Sequence, residues 1–155
     1  EDETVFEPEN IKKAEPVADP VVEVSPPKKT GGHKILIIDD DEGVRRSIVR
    51  CLSTMNVEIL EAGDGKEGVA LLAKSSDVVL LITDVVMPNL DGLKLIEQLR
   101  STEAFGKLKI MIVSGHASPA KLQKAKELNI EGWINKPFNA DRLVAAVGQV
   151  LVKIS

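Results

Sequence analysis

Ile35-Leu36-Ile37-Ile38-Asp39-Asp40 is an unbroken apolar run that ends in two acids, and the same form returns in Val78-Val79-Leu80-Leu81-Ile82-Thr83-Asp84. Neither run alternates apolar with polar, so each suits a strand buried on both faces of a parallel sheet. Acids placed directly after such strands stand where open parallel sheets bind their ligands, beyond the carboxyl ends. A shorter run, Trp133-Ile134, is followed by Asn135-Lys136-Pro137 and brings an ammonium to the same edge.

Outward from these runs, strand and helix patterns alternate five times from Lys34 onward, with short connections. That alternation indicates α/β architecture. A first helix, about Glu42 to Thr54, repeats Val44, Ile48, Cys51, Leu52 and Met55 on one face and leaves Arg45, Arg46 and Arg50 largely to solvent. The second strand, Val57-Glu58-Ile59-Leu60, carries a polar residue as an edge strand can. Asp64 with Glu67 forms an Asp version of a capping box at the start of a helix running through Val69, Leu72 and Ala73. The third helix packs through Leu95, Ile96 and Leu99, after the loop from Val85 to Gly92. The fourth strand, Lys109 to Val113, ends at Ser114, and Ser118-Pro119 opens the fourth helix. Asn139 caps the last helix, with Phe138 and Leu143 placed for a hydrophobic staple. Right-handed crossovers then give a flavodoxin-like doubly wound sheet of five parallel strands, order 2-1-3-4-5, with five helices. In that order Asp39-Asp40, Asp84, Ser114 and Lys136 share one edge.

Residues 1–33 differ in kind. They hold five of the eight prolines and eight acids against four lysines, whereas residues 34–155 carry sixteen of each sign. The segment reads as an acidic, Pro-rich linker or disordered tail with Val21, Val22 and Val24 as its apolar cluster, and residues 34–155 as the folded domain. The charge balance lacks the basic surplus of a nucleic-acid binder. No apolar stretch approaches the ~20 residues that span a bilayer, no signal peptide opens the chain, and a single cysteine rules out an intramolecular disulfide framework. The expected setting is cytoplasmic, with Cys51 as a packing residue.

Carboxylates crowded together repel and become tolerable as anions when a cation sits between them. All-oxygen donors suit Mg²⁺, or Mn²⁺ in its place; clustered Cys and His for zinc are missing. Mg²⁺ commonly keeps places for water and phosphate oxygens, so the edge is suited to a phosphoryl group. Asp84 is the candidate nucleophile, Asp40 the metal ligand with Asp39 close by through water, Lys136 a point charge for a phosphoryl oxygen, and Ser114 a hydroxyl donor to another. Asp41 is read as the cap of the first helix, and Asp91-Gly92 as the turn into the third, not as ligands. His33 and His116 are set apart from any complementary metal ligands, although His116 lies just beyond Ser114.

These segments, Ile35 to Asp41, Asp84 to Gly92, Ser114-Gly115 and Lys136-Pro137-Phe138, resemble the receiver domain of two-component response regulators across residues 34–155. The resemblance implies that Asp84 is the phosphoacceptor, that Asp39 and Asp40 are the acidic pair, and that Val86 offers its backbone carbonyl to the metal. It further implies Ser114 and Trp133 as switch residues, Lys136 as the phosphate-contacting lysine, and a cis bond before Pro137. Trp133 stands where tyrosine or phenylalanine is usual, and Val86 is apolar where many relatives are polar.

The implied function is acceptance of a phosphoryl group from phosphohistidine on a sensor histidine kinase or histidine phosphotransfer domain. The implied output is a switch of the surface formed by the fourth helix, fifth strand and fifth helix, read by a downstream protein as a monomer or a phosphorylation-dependent dimer. Such a domain is a signalling module that catalyses its own modification. A receiver fold kept only for docking is the alternative, and a Mg²⁺-dependent phosphatase ranks last, since no second acid follows Asp84 by two positions. The chain starts at Glu1 and reaches Ser155 right after the last helix, as expected for the receiver end of a multidomain protein, such as a hybrid kinase, or a stand-alone regulator with an N-terminal extension and no output domain behind it.

Overall fold

The computed structural model describes residues 4–6, 33–75, 77–87 and 91–154. Its elements are β1 (Thr4–Phe6), β2 (His33–Ile38), α1 (Glu42–Leu52), β3 (Val57–Ala62), α2 (Gly65–Lys74), β4 (Val78–Thr83), α3 (Gly92–Arg100), a 3₁₀ turn (Glu103–Phe105), β5 (Lys109–Ser114), α4 (Pro119–Glu127), β6 (Gly132–Asn135) and α5 (Ala140–Ile154).

Five parallel strands lie in the order β3-β2-β4-β5-β6, which counted along the chain is 2-1-3-4-5. The apolar runs explain why both sheet faces are covered. Along β2, Ile35 and Ile37 join Ile48, Leu52, Leu143, Val147 and Val150 of α1 and α5 in one core. Leu36 and Ile38 point the other way, into Leu72, Leu95, Ile96, Leu99 and Ala125 of α2, α3 and α4. A period of two with both phases apolar therefore builds two cores from one strand, and each fully buried aliphatic side chain contributes about 1.5–3 kcal/mol. Gly68 lets α2 sit down on the sheet, since a Cβ there would collide with the Ile38 side chain.

Several local details differ from expectation. Thr4–Phe6 pairs antiparallel with β6, so the sheet gains a sixth strand within the segment read as a tail. Thr-Val-Phe is β-prone, and the outer edge of β6 offers unpaired backbone groups to it. The rest of residues 1–32, including Val21, Val22 and Val24, lies outside the described residues, as do Pro88, Asn89 and Leu90.

Helix α1 stops at Leu52, not Thr54, because the Ser53 hydroxyl donates to the Arg50 carbonyl (2.8 Å) and competes with the helical ladder. Arg45 is not a solvent residue; its side chain is 16% exposed against 61% for Arg46. The Asp64 carboxylate caps Glu67 N–H as expected (2.9 Å), but Glu67 reaches back to Gly63 N–H (2.9 Å), one residue before the cap. Asp41, Asp91, Ser118 and Asn139 all cap their helices through side-chain oxygens. Glu58 is exposed on β3, which is an edge strand, and Phe138 and Leu143 share one core. Cys51 is half-buried against that core, and burial raises its thiol pKa.

Candidate functional site at the carboxyl edge of the sheet

The parallel register sets the site. Ile38 pairs with Thr83 across β2 and β4, so Asp39 and Asp84 leave the sheet side by side. Asp39 N–H donates to the Ala62 carbonyl (3.1 Å) and Asp84 N–H to the Ile38 carbonyl (3.2 Å), which extends the ladder by one rung into the acids themselves. Beyond β5, Ser114 pairs with Asn135, and Lys136 N–H donates to the Ser114 carbonyl (3.1 Å), which carries the lysine to the same edge.

The side chains then converge. Lys136 Nζ lies 3.0 Å from Asp39 Oδ2 and 2.9 Å from Asp84 Oδ2, bridging the two acids. The second oxygen of Asp84 accepts from Val85 N–H (2.6 Å) and Val86 N–H (3.4 Å), and the second oxygen of Asp39 accepts from Asp41 N–H (2.9 Å). Asp39 and Asp84 are buried while Asp40 is exposed, and ligand oxygens of all three lie within 4.8 Å of one another. Three carboxylates against one ammonium leave a formal surplus of two negative charges (3 − 1 = 2). An all-oxygen donor set with that surplus and one ligand open to solvent fits Mg²⁺ or Mn²⁺, which Asp39, Asp40 and Asp84 would hold.

Electrostatics agree with a site under load. Burial raises the Asp39 carboxyl above its ordinary value, against the Asp41 N–H and Lys136, which favour the anion, and with the Asp84 charge adding to the rise. Burial by itself would lower Lys136, but its hydrogen bonds to Asp84 and Asp39 and their charges outweigh this and raise it.

The loop after β4 is shaped around Asp84. Buried Thr83 donates its hydroxyl to the Asp84 carbonyl (2.9 Å), and Gly92 N–H donates to the Val85 carbonyl (2.7 Å). Gly92 comes so close that a Cβ would collide with the Asp84 carbonyl oxygen and lie 2.8 Å from Val85 Cα. Glycine is required there by close approach rather than by the turn alone. Val86 is 44% exposed at the rim.

Ser114 is fully buried, and its Oγ accepts from His116 N–H (3.1 Å). Trp133 is likewise buried, packed into the core with Leu36, Ile112 and Ala125, and its indole N–H has no hydrogen-bond partner among the described residues. The Lys136–Pro137 bond is cis. Sequence reasoning missed Arg45, whose Nη1 donates to the Asp39 carbonyl (2.6 Å) while its Nε pairs with Glu61 (2.9 Å). Its helical position gave no signal, because the partners lie on two other elements.

Among the described residues no helix is long and apolar enough to cross a membrane. A family profile described as response regulator receiver domain matches residues 35–148. A chemotaxis protein CheY homolog of Campylobacter jejuni is 33% identical over 119 residues, covering 76% of this chain and 92% of that protein. The sensor kinase CckA of Brucella abortus is 30% identical over 125 residues, which cover 80% of this chain and 13% of the kinase. Among solved structures, the chemotaxis protein CheY4 of Vibrio cholerae superposes with a TM-score of 0.72 at 28% identity, covering 77% of this chain and 99% of that one. The likeness of fold is thus joined by a likeness of sequence over most of the chain, and the protein belongs to the response regulator receiver domain family.

Proposed function

We propose that residues 34–155 form a phosphoacceptor receiver in which Asp84 takes a phosphoryl group from a phosphohistidine. The observation that carries this reading is the Asp84 carboxylate itself. It is oriented by backbone N–H groups on one oxygen and by Lys136 on the other, beside two further acids. An Asp84 oxygen attacks phosphorus, the phosphorus–nitrogen bond breaks, and its electron pair returns to the imidazole. Lys136, already 2.9 Å from the acceptor, follows the charge onto a phosphoryl oxygen as a compact ammonium. When bound by Asp39, Asp40, Asp84 and the Val86 carbonyl, Mg²⁺ (or Mn²⁺) supplies charge neutralisation for the transferred group.

The switch follows from Ser114 and Trp133. Ser114 Oγ gives up its bond from His116 N–H to donate to a phosphoryl oxygen, and the shift repacks Trp133 with the surface of α4, β6 and α5. A sensor histidine kinase or histidine phosphotransfer domain is the phosphodonor, and a downstream protein reads the surface; the likeness to a segment of a sensor kinase supports a place in such a relay. The domain acts in the cytoplasm as a monomer or a phosphorylation-dependent dimer, and residues 1–33 act chiefly as a linker.

The test is mass spectrometry after incubation with Mg²⁺ and a small acyl phosphate. Wild type gains one phosphoryl group and Asp84→Ala gains none. Trp133, the single tryptophan in a chain without tyrosine, reports the switch by its emission. Wild type that neither binds Mg²⁺ nor becomes modified would return the protein to a docking role.

A further inference from the structure

We propose that Arg45 is a positioning residue for the metal site, holding the peptide that joins Asp39 to Asp40 through its carbonyl oxygen. The inference rests on the reading of the acidic cluster as a divalent-cation site, and adds to it a residue outside the cluster.

Asp39 is held from several directions. Its N–H is fixed on the end of β3 through Ala62, and its carboxylate is fixed by Asp41 N–H and Lys136. Its carbonyl is fixed by Arg45 Nη1 at 2.6 Å. That carbonyl belongs to the peptide whose next residue is Asp40, so its direction sets the plane from which the exposed Asp40 carboxylate departs. Arg45 is itself pinned by Glu61, whose carboxylate takes its Nε at 2.9 Å from β3. The planar guanidinium therefore braces the end of β2 against the end of β3, with α1 supplying the stem. Arginine suits this task because its fork serves two acceptors at once in fixed geometry; lysine offers one tetrahedral ammonium.

A cation beside a cation site opposes metal binding by charge alone. Arg45 can favour Mg²⁺ only by geometry, and the two roles differ in sign. Removing the charge would tighten Mg²⁺ binding if Arg45 acted as a charge, and would weaken it if Arg45 acts as a brace.

The experiment measures Mg²⁺ affinity of the full chain by calorimetry, and Mn²⁺ affinity by electron paramagnetic resonance, for wild type, Arg45→Gln and Arg45→Lys, with cooperative urea unfolding as the control. Both variants are expected to bind Mg²⁺ about tenfold more weakly, the scale of losing an outer-shell partner of a metal ligand. Arg45→Lys decides the matter, since it keeps the charge and the stem. Wild-type affinity in Arg45→Lys, or unchanged or tighter binding in Arg45→Gln, overturns the positioning role. Loss of cooperative unfolding in both variants also counts against it, by making Arg45 a folding residue. A wild type without Mg²⁺ affinity instead overturns the underlying reading of the cluster, and the two failures are told apart by the wild-type titration.

Discussion

Each edge of the sheet holds a half-buried cation, and the two cations are handled in opposite ways. At the carboxyl edge Lys136 faces two carboxylates and stands beside a third. At the amino edge Arg100, the last residue of α3, faces carbonyl oxygens: its Nε donates to Leu128 (2.8 Å), its Nη1 to Leu108 (2.7 Å), Gly106 (3.1 Å) and Phe105 (3.4 Å), and its Nη2 to Asn129 (3.2 Å). Burial lowers Arg100, and the distant charge of Glu131 opposes the shift. The guanidinium closes the turn after α3 onto the end of α4, where Asn129 adopts a left-handed φ of 59°. These acceptors are fixed parts of the backbone and leave the arginine nowhere else to go. Lys136 holds side-chain carboxylates that a divalent cation or a phosphoryl group could claim in its place. One edge is closed and the other exchangeable, and the choice of arginine for the first and lysine for the second follows from fork against point charge.

Paired substitutions break the comparison most directly. Lys136→Ala leaves two buried acids without their counter-charge. Phosphoryl transfer from a small donor should fall by roughly a hundredfold or more, the scale of losing one preorganised charge partner in a transition state. Without metal the variant should lose about 2–3 kcal/mol of stability, and Mg²⁺ should restore much of it by taking the vacated role. Urea unfolding with and without Mg²⁺ checks this, and equal metal responses in variant and wild type would end the idea that the carboxyl edge is exchangeable.

Arg100→Ala should cost about 3 kcal/mol, because several carbonyls lose a charged donor at once, though water recovers part of the loss. That cost should be indifferent to Mg²⁺, and the extent of phosphorylation per folded molecule should stay at the wild-type level. Arg100→Lys should recover only a small part, since one ammonium cannot span acceptors on both sides of the turn. A Mg²⁺-dependent cost for Arg100→Ala would show that the two edges are coupled and not independent.

The same contrast explains what could be read from the chain. Strand-end acids are legible because burial on both faces leaves an unbroken apolar run in the sequence, Ile35 to Ile38 and Val78 to Ile82, and the acids that follow, Asp39 directly and Asp84 after Thr83, stand at the edge. Caps at Asp41, Asp64, Ser118 and Asn139 are legible because each acts on its own neighbours, while Asp91, read as a turn residue, proves to cap α3 as well. Arg45 and Arg100 were not, because their acceptors lie on other elements and most are backbone carbonyls, which every residue carries. Gly92 was read as a turn residue, and its contact with the Asp84 carbonyl depends on how α3 docks. The pairing of Thr4–Phe6 with β6 was hidden for a related reason: three residues in an acidic, Pro-rich segment carry too little period to mark a strand, and the edge that receives them exists only after the sheet has formed.

The smallest effect has the more telling sign. Folded Asp39 holds its proton more tightly than it does in the unfolded chain, chiefly because it is buried. Its contribution to stability is therefore complete below the ordinary carboxylate range and is lost as pH rises through its elevated folded value. At pH 7 without metal the ionised side chain burdens the fold, and Asp39→Asn should be more stable than wild type, with the difference shrinking in acid as wild-type Asp39 takes up its proton. Mg²⁺ should reverse the ranking, since wild type gains a metal ligand's worth of binding energy and the amide gains less. Unfolding midpoints at pH 7 and in mild acid, with and without Mg²⁺, test all of this together. A destabilised Asp39→Asn at pH 7 in the absence of metal would mean that Lys136 already compensates the acid in full. The carboxyl edge would then be as closed as the amino edge, and Mg²⁺ would have to displace a satisfied ion pair rather than relieve a strained one.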